Sequence, residues 1–368
     1  MFLAWELTPD RKLVIAIIDK TVLNEKRQEH ISLNWVLNHE RFLKNNTELY
    51  RLRTDYFGFF PLKDEEFRLK GLERFSEAQL QQLTTDADAV YMADAYGIYR
   101  NEWYKVNDPK DRSPVVYGGM SQQDMYYLDQ MKAAHKLVIA EFNCIASPTS
   151  DSIRTEFSKS FGITWSRWVG RYFDSFDTLV NLELPKWVYH NYMDQNNGQW
   201  PFKKSGLAYV RNDDKIVILE NDTHLDKELP VIISNAEGQD YYGLPEKYKY
   251  AYWFEINTAN DSLTRTISTF ETYPNAAGLK VLQENGIPVT FPAVCIHKDT
   301  SYQFFYFSAD FCDNPITLGA SYFRGIKYFQ WLLFNSKDPI ERKSFFWVFY
   351  RPLVTRILND YYKSLGRK

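Results

Sequence analysis

Short apolar runs that lead into a carboxylate constrain the fold of this chain more than any other feature. The first of them reads Lys-Leu-Val-Ile-Ala-Ile-Ile and is rich in β-branched residues. Runs of this length and composition are typical of strands that are buried on both faces in a parallel sheet. The predicted strands, each with its acid at or near the carboxyl end, are residues 12–18 with Asp19, 50–56 with Asp55, 89–93 with Asp94 and 137–142 with Glu141.

Helices are predicted between these strands. Ser76 and Gln79 have the spacing of a capping box, in which the serine caps the helix and the glutamine closes the box. The other predicted helices are residues 30–42, residues 121–136, and a helix that begins at Thr149, Ser150 or Asp151 and ends at Gly162. Alternation of strands and helices predicts right-handed crossovers, and hence an α/β fold with a mostly parallel central sheet flanked by helices.

The second half of the chain departs from this alternation. Residues 163–257 hold five tryptophans and are interpreted as an aromatic-rich elaboration on the core, because no Pro/Gly/Ser-rich linker bounds them. The strands predicted there and beyond are 207–210, 215–219, 230–233, 252–256, and a hairpin of 289–297 with 302–309. A helix is predicted over 276–286. The predicted domains are a single α/β domain over 1–325 and a helical tail over 326–368, interrupted near Pro339 and Pro352.

Composition excludes several classes of function. The 44 basic and 47 acidic residues are interspersed, so the chain has no basic footprint for nucleic acid. Its three cysteines lack C-x-x-C spacing, and its six histidines lack ligand spacing, which disfavours structural zinc, a disulfide framework and a histidine-rich metal site. A hard cation held only by Asp and Glu stays open. The 26 Tyr, 26 Phe and 10 Trp indicate a large aromatic core or, alternatively, a cleft that stacks flat ligands.

The strand-end acids are the main candidate site. Because ligands of open α/β sheets bind beyond the carboxyl ends of the strands, the acids and their neighbours are expected on one edge. Crowded carboxyl groups raise one another's pKa, which suits acid–base work or a bound cation. The alternative is that these residues only cap helices and start turns. The candidates for catalysis are Glu141, Asp94, Glu255 and Cys144, and those for ligand binding are Asp19, Lys20, Asp55, Tyr96, Asn143, Trp168, Arg171 and Asp310.

Cys144 and the segment around Trp168 and Arg171 each have a structural interpretation as well as a functional one. Cys144 would act as a nucleophile only with a base such as His30 or His297 within reach, and a buried inert thiol is the alternative. The segment around Trp168 and Arg171 could present an indole and a guanidinium to a ligand, or it could be a packed loop.

Several of these motifs together resemble the class I glutamine-amidotransferase-like superfamily. They are the early alternation, the Gly118-Gly119 turn, the turn after Glu141, and the late hairpin that leads to Asp310. In finer detail, residues 19–22, 140–143 and 308–311 resemble a poorly characterised bacterial group within that superfamily, and the resemblance covers residues 12–315. Members of that group often carry a membrane anchor ahead of the first strand.

The resemblance implies a fold more than an activity. Active members of the superfamily place cysteine in a Gly-x-Cys-x-Gly elbow and follow it with a His-x-Glu pair. Here the neighbours of Cys144 are Asn143, Ile145 and Ala146, and the chain contains no His-x-Glu. The expectation is therefore a protein without glutaminase activity.

Three functions follow as hypotheses. The first is binding of a small polar or glycan-like ligand, or of a partner protein, at the acidic strand-end cleft. The second is a carbohydrate-active hydrolase with paired carboxylates, which glycosidic cleavage requires at roughly 5–9.5 Å from each other. The third and weakest is a cysteine hydrolase that uses Cys144.

The residues indicate no particular cofactor or oligomeric state. A cytoplasmic location is expected if the chain is complete, and a membrane-associated or extracytoplasmic one if an anchor precedes it.

Overall fold

The computed structural model describes residues 1–24, 29–104, 113–335, 338 and 340–367. Its strands, in chain order, are β1 (Arg11–Lys12), β2 (Ile15–Asp19), β3 (Phe42–Leu43), β4 (Phe57–Pro61), β5 (Phe67–Lys70), β6 (Ala89–Asp94), β7 (Ile98–Tyr99), β8 (Val115–Tyr117), β9 (Leu137–Glu141), β10 (Ile163–Phe173), β11 (Gly206–Arg211), β12 (Ile216–Glu220), β13 (Leu225–Ser234), β14 (Lys247–Lys249), β15 (Phe254–Ala259), β16 (Thr264–Pro274), β17 (Thr290–His297) and β18 (Gln303–Phe307).

The α-helices are α1 (Phe2–Glu6), α2 (Ile31–His39), α3 (Glu77–Asp86), α4 (Arg100–Trp103), α5 (Gln122–Ala133), α6 (Asp151–Phe161), α7 (Lys186–Gln195), α8 (Ala276–Glu284), α9 (Arg342–Phe345) and α10 (Arg351–Ser364). Short 3₁₀ segments cover Leu72–Arg74, Leu318–Tyr322 and Ile326–Leu332, and wider π turns cover Glu237–Tyr241 and Phe346–Tyr350. Within the described ranges, no helix combines the length and the apolar composition needed to cross a bilayer.

A ten-stranded sheet forms the centre of the molecule, in the order β14-β13-β16-β17-β18-β9-β6-β2-β4-β5. The predicted α/β class, with a large central sheet flanked by helices and a C-terminal helix, is confirmed. Pairing is parallel from β18 through β9, β6 and β2 to β4, whereas the strands on either side of this block pair antiparallel. The sheet is therefore mixed, with its parallel part in the segment where the sequence alternates strand and helix. Among the described residues its end strands, β14 and β5, do not pair with each other, so the sheet is open.

Side chains of the parallel strands alternate between two apolar layers, as the period of a strand requires. Ile17 and Tyr91 point to the layer that contains α2 and α10. Ile18 and Met92 point to the opposite layer, which α3, α5 and α6 cover. Burial on both faces explains why these strands read as continuous apolar runs in the sequence.

The predicted helix starts and the late hairpin are confirmed. Ser76 and Gln79 form the predicted capping box at α3, and Ser121 caps α5 in the same way. Gly162 takes a left-handed conformation (φ 74°) directly after α6, which is the usual role of a C-terminal glycine. Strands β17 and β18 pair as the predicted hairpin.

The strand predicted over residues 50–56 is wrong. The chain turns there, because the carboxylate of Asp55 accepts the amide of Arg51 at 2.8 Å, and the strand begins only at Phe57. The predicted break at Pro352 is also wrong. Pro352 stands in the first turn of α10, where the proline N–H is not needed, and the π turn immediately before it continues the helical path. Pro339 lies outside the described residues.

A second sheet, in the order β12-β11-β10-β15, covers the carboxyl edge of the central sheet at β18. Its pairs are all antiparallel. The two sheets meet where Phe254 bridges Ala309 and where the amide of Glu255 donates to the carbonyl of Ser308 at 2.7 Å. This contact brings the second sheet over the strand ends. The predicted elaboration over 163–257 is divided between the two sheets, because β13 and β14 pair within the central one.

Candidate functional site

The strand-end acids lie together because their strands are neighbours in register. Asp19 and Asp94 are paired residues of β2 and β6, and Glu141 is paired with Phe307 at the end of β18. Glu255 reaches the same edge from the second sheet. All four carboxyl groups are buried, with exposures between 0% and 6%. These four acids therefore form one group, but beneath the surface of the protein.

Asp19 is held by His30. The Nδ1 atom of His30 lies 2.6 Å from Oδ2 of Asp19, and Nε2 lies 3.0 Å from the carbonyl of Leu52. Because a carbonyl oxygen only accepts, Nε2 must carry a hydrogen, and Nδ1 faces the carboxyl group. Both ring nitrogens are thus engaged, which leaves His30 unable to serve as the base for Cys144.

Asp94 accepts three hydrogen bonds, from the hydroxyl of Thr21 at 2.5 Å, the amide of Tyr96 at 2.6 Å and the side chain of Asn143 at 3.0 Å. Burial nevertheless raises the pKa of Asp94 well above the usual value, and these bonds lower it only part of the way back. Tyr96 is half-buried beside this group, where its ring lies 4.6 Å from that of Tyr99.

Asn143 occupies the sharp turn between β9 and α6. Its φ of 65° is left-handed, a conformation that asparagine tolerates better than most residues. Its amide donates to Oε1 of Glu255 at 2.7 Å. Glu255 also accepts the hydroxyl of Tyr306 at 2.6 Å and the side chain of Asn257 at 3.0 Å. Burial raises the pKa of Glu255, and the bonds from Tyr306 and Asn257 oppose that shift.

Cys144 does not stand at the elbow position. The left-handed residue of the turn is Asn143, whose amide side chain is no nucleophile, and the Cys144 thiol points into the core, 3.4 Å from the carbonyl of Met92. Burial raises the pKa of Cys144 well above the ordinary value for a thiol. A thiolate is the reactive form, so this environment disfavours nucleophilic chemistry.

Glu141 is the least satisfied acid of the group. Its Oε1 atom accepts the hydroxyl of Tyr91 at 3.1 Å, and Tyr91 lies 2.9 Å from the hydroxyl of Tyr350. Its Oε2 atom has no hydrogen-bond partner among the described residues. Burial raises the pKa of Glu141 well above its usual range, and the charge of Asp310 adds to the shift.

Three predicted ligand-binding residues make internal contacts instead. Lys20 is buried and donates to Asp124 at 2.5 Å and to the carbonyl of Gly119 at 3.0 Å, away from the acids. Asp55 precedes its strand and pairs with Lys44 at 2.7 Å. Trp168 is buried in the core that surrounds β10.

Arg171 lines an open cleft, and Asp310 pairs with another lining residue, Arg342. Asp310 accepts Nη2 of Arg342 at 2.8 Å, and Asp313 accepts Nη1 of the same guanidinium at 3.1 Å. Burial raises the pKa of Asp310 to about 6, against the opposing effect of Arg342. Arg171 pairs with the exposed Glu183 at 2.5 Å.

The cleft has a volume of about 890 Å³. Its wall combines charged groups with aromatic faces: Arg171 lies 5.8 Å from the ring centre of Trp253, and Arg342 lies 4.5 Å from that of Tyr252. The lining residues are Arg171, Tyr172, Phe173, Asp174, Ser175, Val180, Asn181, Leu182, Glu183, Ala251, Tyr252, Trp253, Pro315, Asp338, Ile340, Glu341, Arg342 and Lys343. Among the predicted site residues, Arg171 is the one that lines the cleft directly.

Sequence reasoning missed most of this cleft. Arg342 comes from the helical tail, 32 positions after its partner Asp310, and no local pattern marks it. Glu29 was missed as well, although it lies near Asp310 and Asp313. Burial, followed by the charge of Asp313, raises the pKa of Glu29 well above its usual range. The spacing of Asp310 and Asp313 was the one available signal.

Comparison with known proteins gives no family assignment. No protein-family model and no curated protein matches the chain. Solved structures that match include a ThuA-like protein from Parabacteroides merdae (11% identity, TM-score 0.35), over 81% of this chain and 79% of that one. ThuA-like proteins belong to the class I glutamine-amidotransferase-like fold.

Two further matches are enzymes named for carbohydrates. A carbohydrate deacetylase matches with 9% identity and a TM-score of 0.32, over 82% of this chain and 30% of that one. A β-galactosidase from Bacillus circulans sp. alkalophilus matches with 10% identity and a TM-score of 0.29, over 62% of this chain. The chain spans about a fifth of the length of that β-galactosidase.

Proposed function

We propose that this protein binds a small polar ring compound, of the glycan type, in the cleft between the second sheet and the C-terminal segment, and that it has no glutaminase activity. One observation carries the proposal: an open cleft of about 890 Å³ presents guanidinium groups and aromatic faces side by side. Aromatic faces pack against the apolar side of a sugar ring, while charged groups bind its hydroxyls.

The proposed lack of glutaminase activity is supported by the turn between β9 and α6. Asn143 holds the strained position of the turn, and Cys144 points into the core with its pKa raised. The paired-carboxylate hydrolase is a weaker proposal, because a glycosidic bond must reach both carboxyl groups. Asp94, Glu141 and Glu255 are buried, which does not favour that chemistry.

The test is a titration with neutral and acidic oligosaccharides, followed by tryptophan fluorescence, in which Trp253 is the expected reporter. The variant Arg171→Ala should weaken binding at least tenfold. Arg211→Ala is the matched control, because Arg211 also pairs with an exposed acid and also lies over a tryptophan ring, but at the β11–β12 hairpin.

Two outcomes would overturn the proposal. One is the absence of binding by every compound of the panel at millimolar concentration, and the other is equal weakening by the two arginine variants. Release of glutamate from glutamine that is lost in Cys144→Ala would overturn the second part. Unchanged binding in Cys144→Ala together with no glutamate release would support both parts.

A further inference from the structure

Three carboxylates converge, and two of them pair with Arg342 of the cleft wall. One oxygen from each of Glu29, Asp310 and Asp313 lies within 4.8 Å of the other two. Oxygens that share a Ca²⁺ ion at bond lengths of about 2.3–2.6 Å lie within about 5 Å of one another. The three side chains therefore have the separation that a bound cation of this size requires, and all three are only partly buried, so an ion can reach them.

The charge of Asp310 also acts on a fourth acid. Glu141 is 1% exposed, its Oε2 atom has no hydrogen-bond partner among the described residues, and Asp310 is the charge that acts on it most strongly. A buried acceptor oxygen without a partner is uncommon in a folded protein, and either a hydrogen-bond donor or a cation would satisfy it.

Among the described residues, Arg342 is the cation that contacts the group, through Asp310 and Asp313. Carboxylates that are withdrawn from water need a positive partner, and an ion between the three oxygens would be one.

We propose that Glu29, Asp310 and Asp313 bind one divalent cation of the hard, oxygen-preferring class, with Ca²⁺ as the best fit by size. Glu141 contributes negative potential to the site. Arg342 holds Asp310 and Asp313 in position through one oxygen of each. This site stands independently of the ligand proposed for the cleft, because it needs no contact with Arg171 or Trp253.

The experiment uses the full chain, stripped of metal with a chelator and then titrated with Ca²⁺, Mn²⁺ and Mg²⁺ by calorimetry. Tb³⁺ luminescence serves as a second readout, because Tyr252 packs on Arg342 and can sensitise the ion. We expect one Ca²⁺ per chain, and a melting temperature that rises with Ca²⁺ concentration. In Asp313→Asn the affinity should fall at least tenfold and the melting temperature should no longer respond to Ca²⁺.

Asp174→Asn is the matched control, since Asp174 lines the same cleft but lies outside the three-acid group. Its affinity for Ca²⁺ should equal that of the native chain. Glu29→Gln provides a second variant in case Asp313→Asn fails to fold in chelator. The proposal is overturned if none of the three cations binds at 10 mM, which would mean that protons alone neutralise the acids, or if Asp174→Asn loses as much affinity as Asp313→Asn. Oligosaccharide binding that persists in chelator would leave the proposed function intact in either case.

Discussion

The amide nitrogen of Asn143 lies 2.7 Å from Oε1 of Glu255, and this hydrogen bond joins the turn after β9 to the second sheet. Glu255 accepts two more bonds, from Tyr306 and Asn257, so three buried donors depend on one carboxylate. Glu255 is therefore a shared hydrogen-bond acceptor that connects the two sheets.

Replacement of Glu255 by alanine should therefore be costly. It leaves three buried donors without an acceptor, and each unsatisfied group costs about 1–3 kcal/mol. We expect Glu255→Ala to lower the free energy of unfolding by at least about 2 kcal/mol, as measured by urea denaturation. Glu255→Gln keeps one acceptor oxygen and should cost less. Glu246→Ala, at an exposed acid that contacts Lys247, should change stability little. A similar loss of unfolding free energy in the Glu246 and Glu255 variants would contradict this role of Glu255.

The backbone of Asn143 gives a second prediction. At φ 65° a residue with a Cβ is strained by about 1 kcal/mol, whereas glycine is not. Asn143→Ala and Asn143→Gly both lose the side-chain bond to Asp94. We expect the alanine variant to be the less stable of the two, by about 1 kcal/mol in urea unfolding. A more stable alanine variant would show that the turn relaxes out of the left-handed region.

The pKa of Asp94 predicts a dependence of stability on pH. Burial raises this pKa well above the value of about 4 in the unfolded chain, so the folded state retains a proton that the unfolded state has lost. Stability that is present below pH 4 is then lost as the pH rises toward the folded pKa. Asp94→Asn imitates the protonated form and should remove this part of the loss.

Urea unfolding of the native chain and of Asp94→Asn between pH 4 and pH 8 tests this prediction. As the pH rises, we expect the free energy of unfolding of Asp94→Asn to increase relative to that of the native chain. The increase should be on the order of 1.4 kcal/mol for each unit by which folding raises the pKa of Asp94. Asp19 raises the pKa of Asp94 further, so the measurement should be repeated in Asp19→Asn. A difference that is constant across the range would contradict the assigned direction.

The cysteines give a fourth prediction. Cys144, Cys295 and Cys312 are all buried, and burial raises the pKa of each thiol. A chromogenic disulfide reagent at pH 7.5 should detect no fast thiol in the native protein and three in denaturant. One fast thiol that disappears in Cys144→Ala would revive the cysteine-hydrolase hypothesis.

The parallel half of the sheet could be predicted from the sequence because its strands are buried on both faces. Such strands read as apolar runs, and the helices between them carry recognisable caps such as Ser76 and Ser121. The same patterns placed Asp19 and Asp94 at one edge, which follows from parallel neighbours in register.

The long antiparallel strands were not accessible in the same way. Strand β10 has a register shift between Trp165 and Val169, with Arg167 at φ 76°, and this irregularity interrupts the alternation that identifies a strand. Strand β16 alternates threonines with few apolar residues and was not predicted. The cleft was missed for a different reason: Arg342 meets Asp310 only through the path of the C-terminal segment, which no local pattern encodes.

The loop after β18 carries Asp310 to the carboxyl edge of the parallel strands. Strand β18 runs toward that edge with β9, and β17 runs away from it. The bridge from Ala309 to Phe254 then places the second sheet over the buried strand-end acids. The ligand proposed for the cleft would therefore meet the side of the Asp310–Arg342 pair before the buried acids, and substitutions on the outer face of the second sheet would change binding without changing those acids.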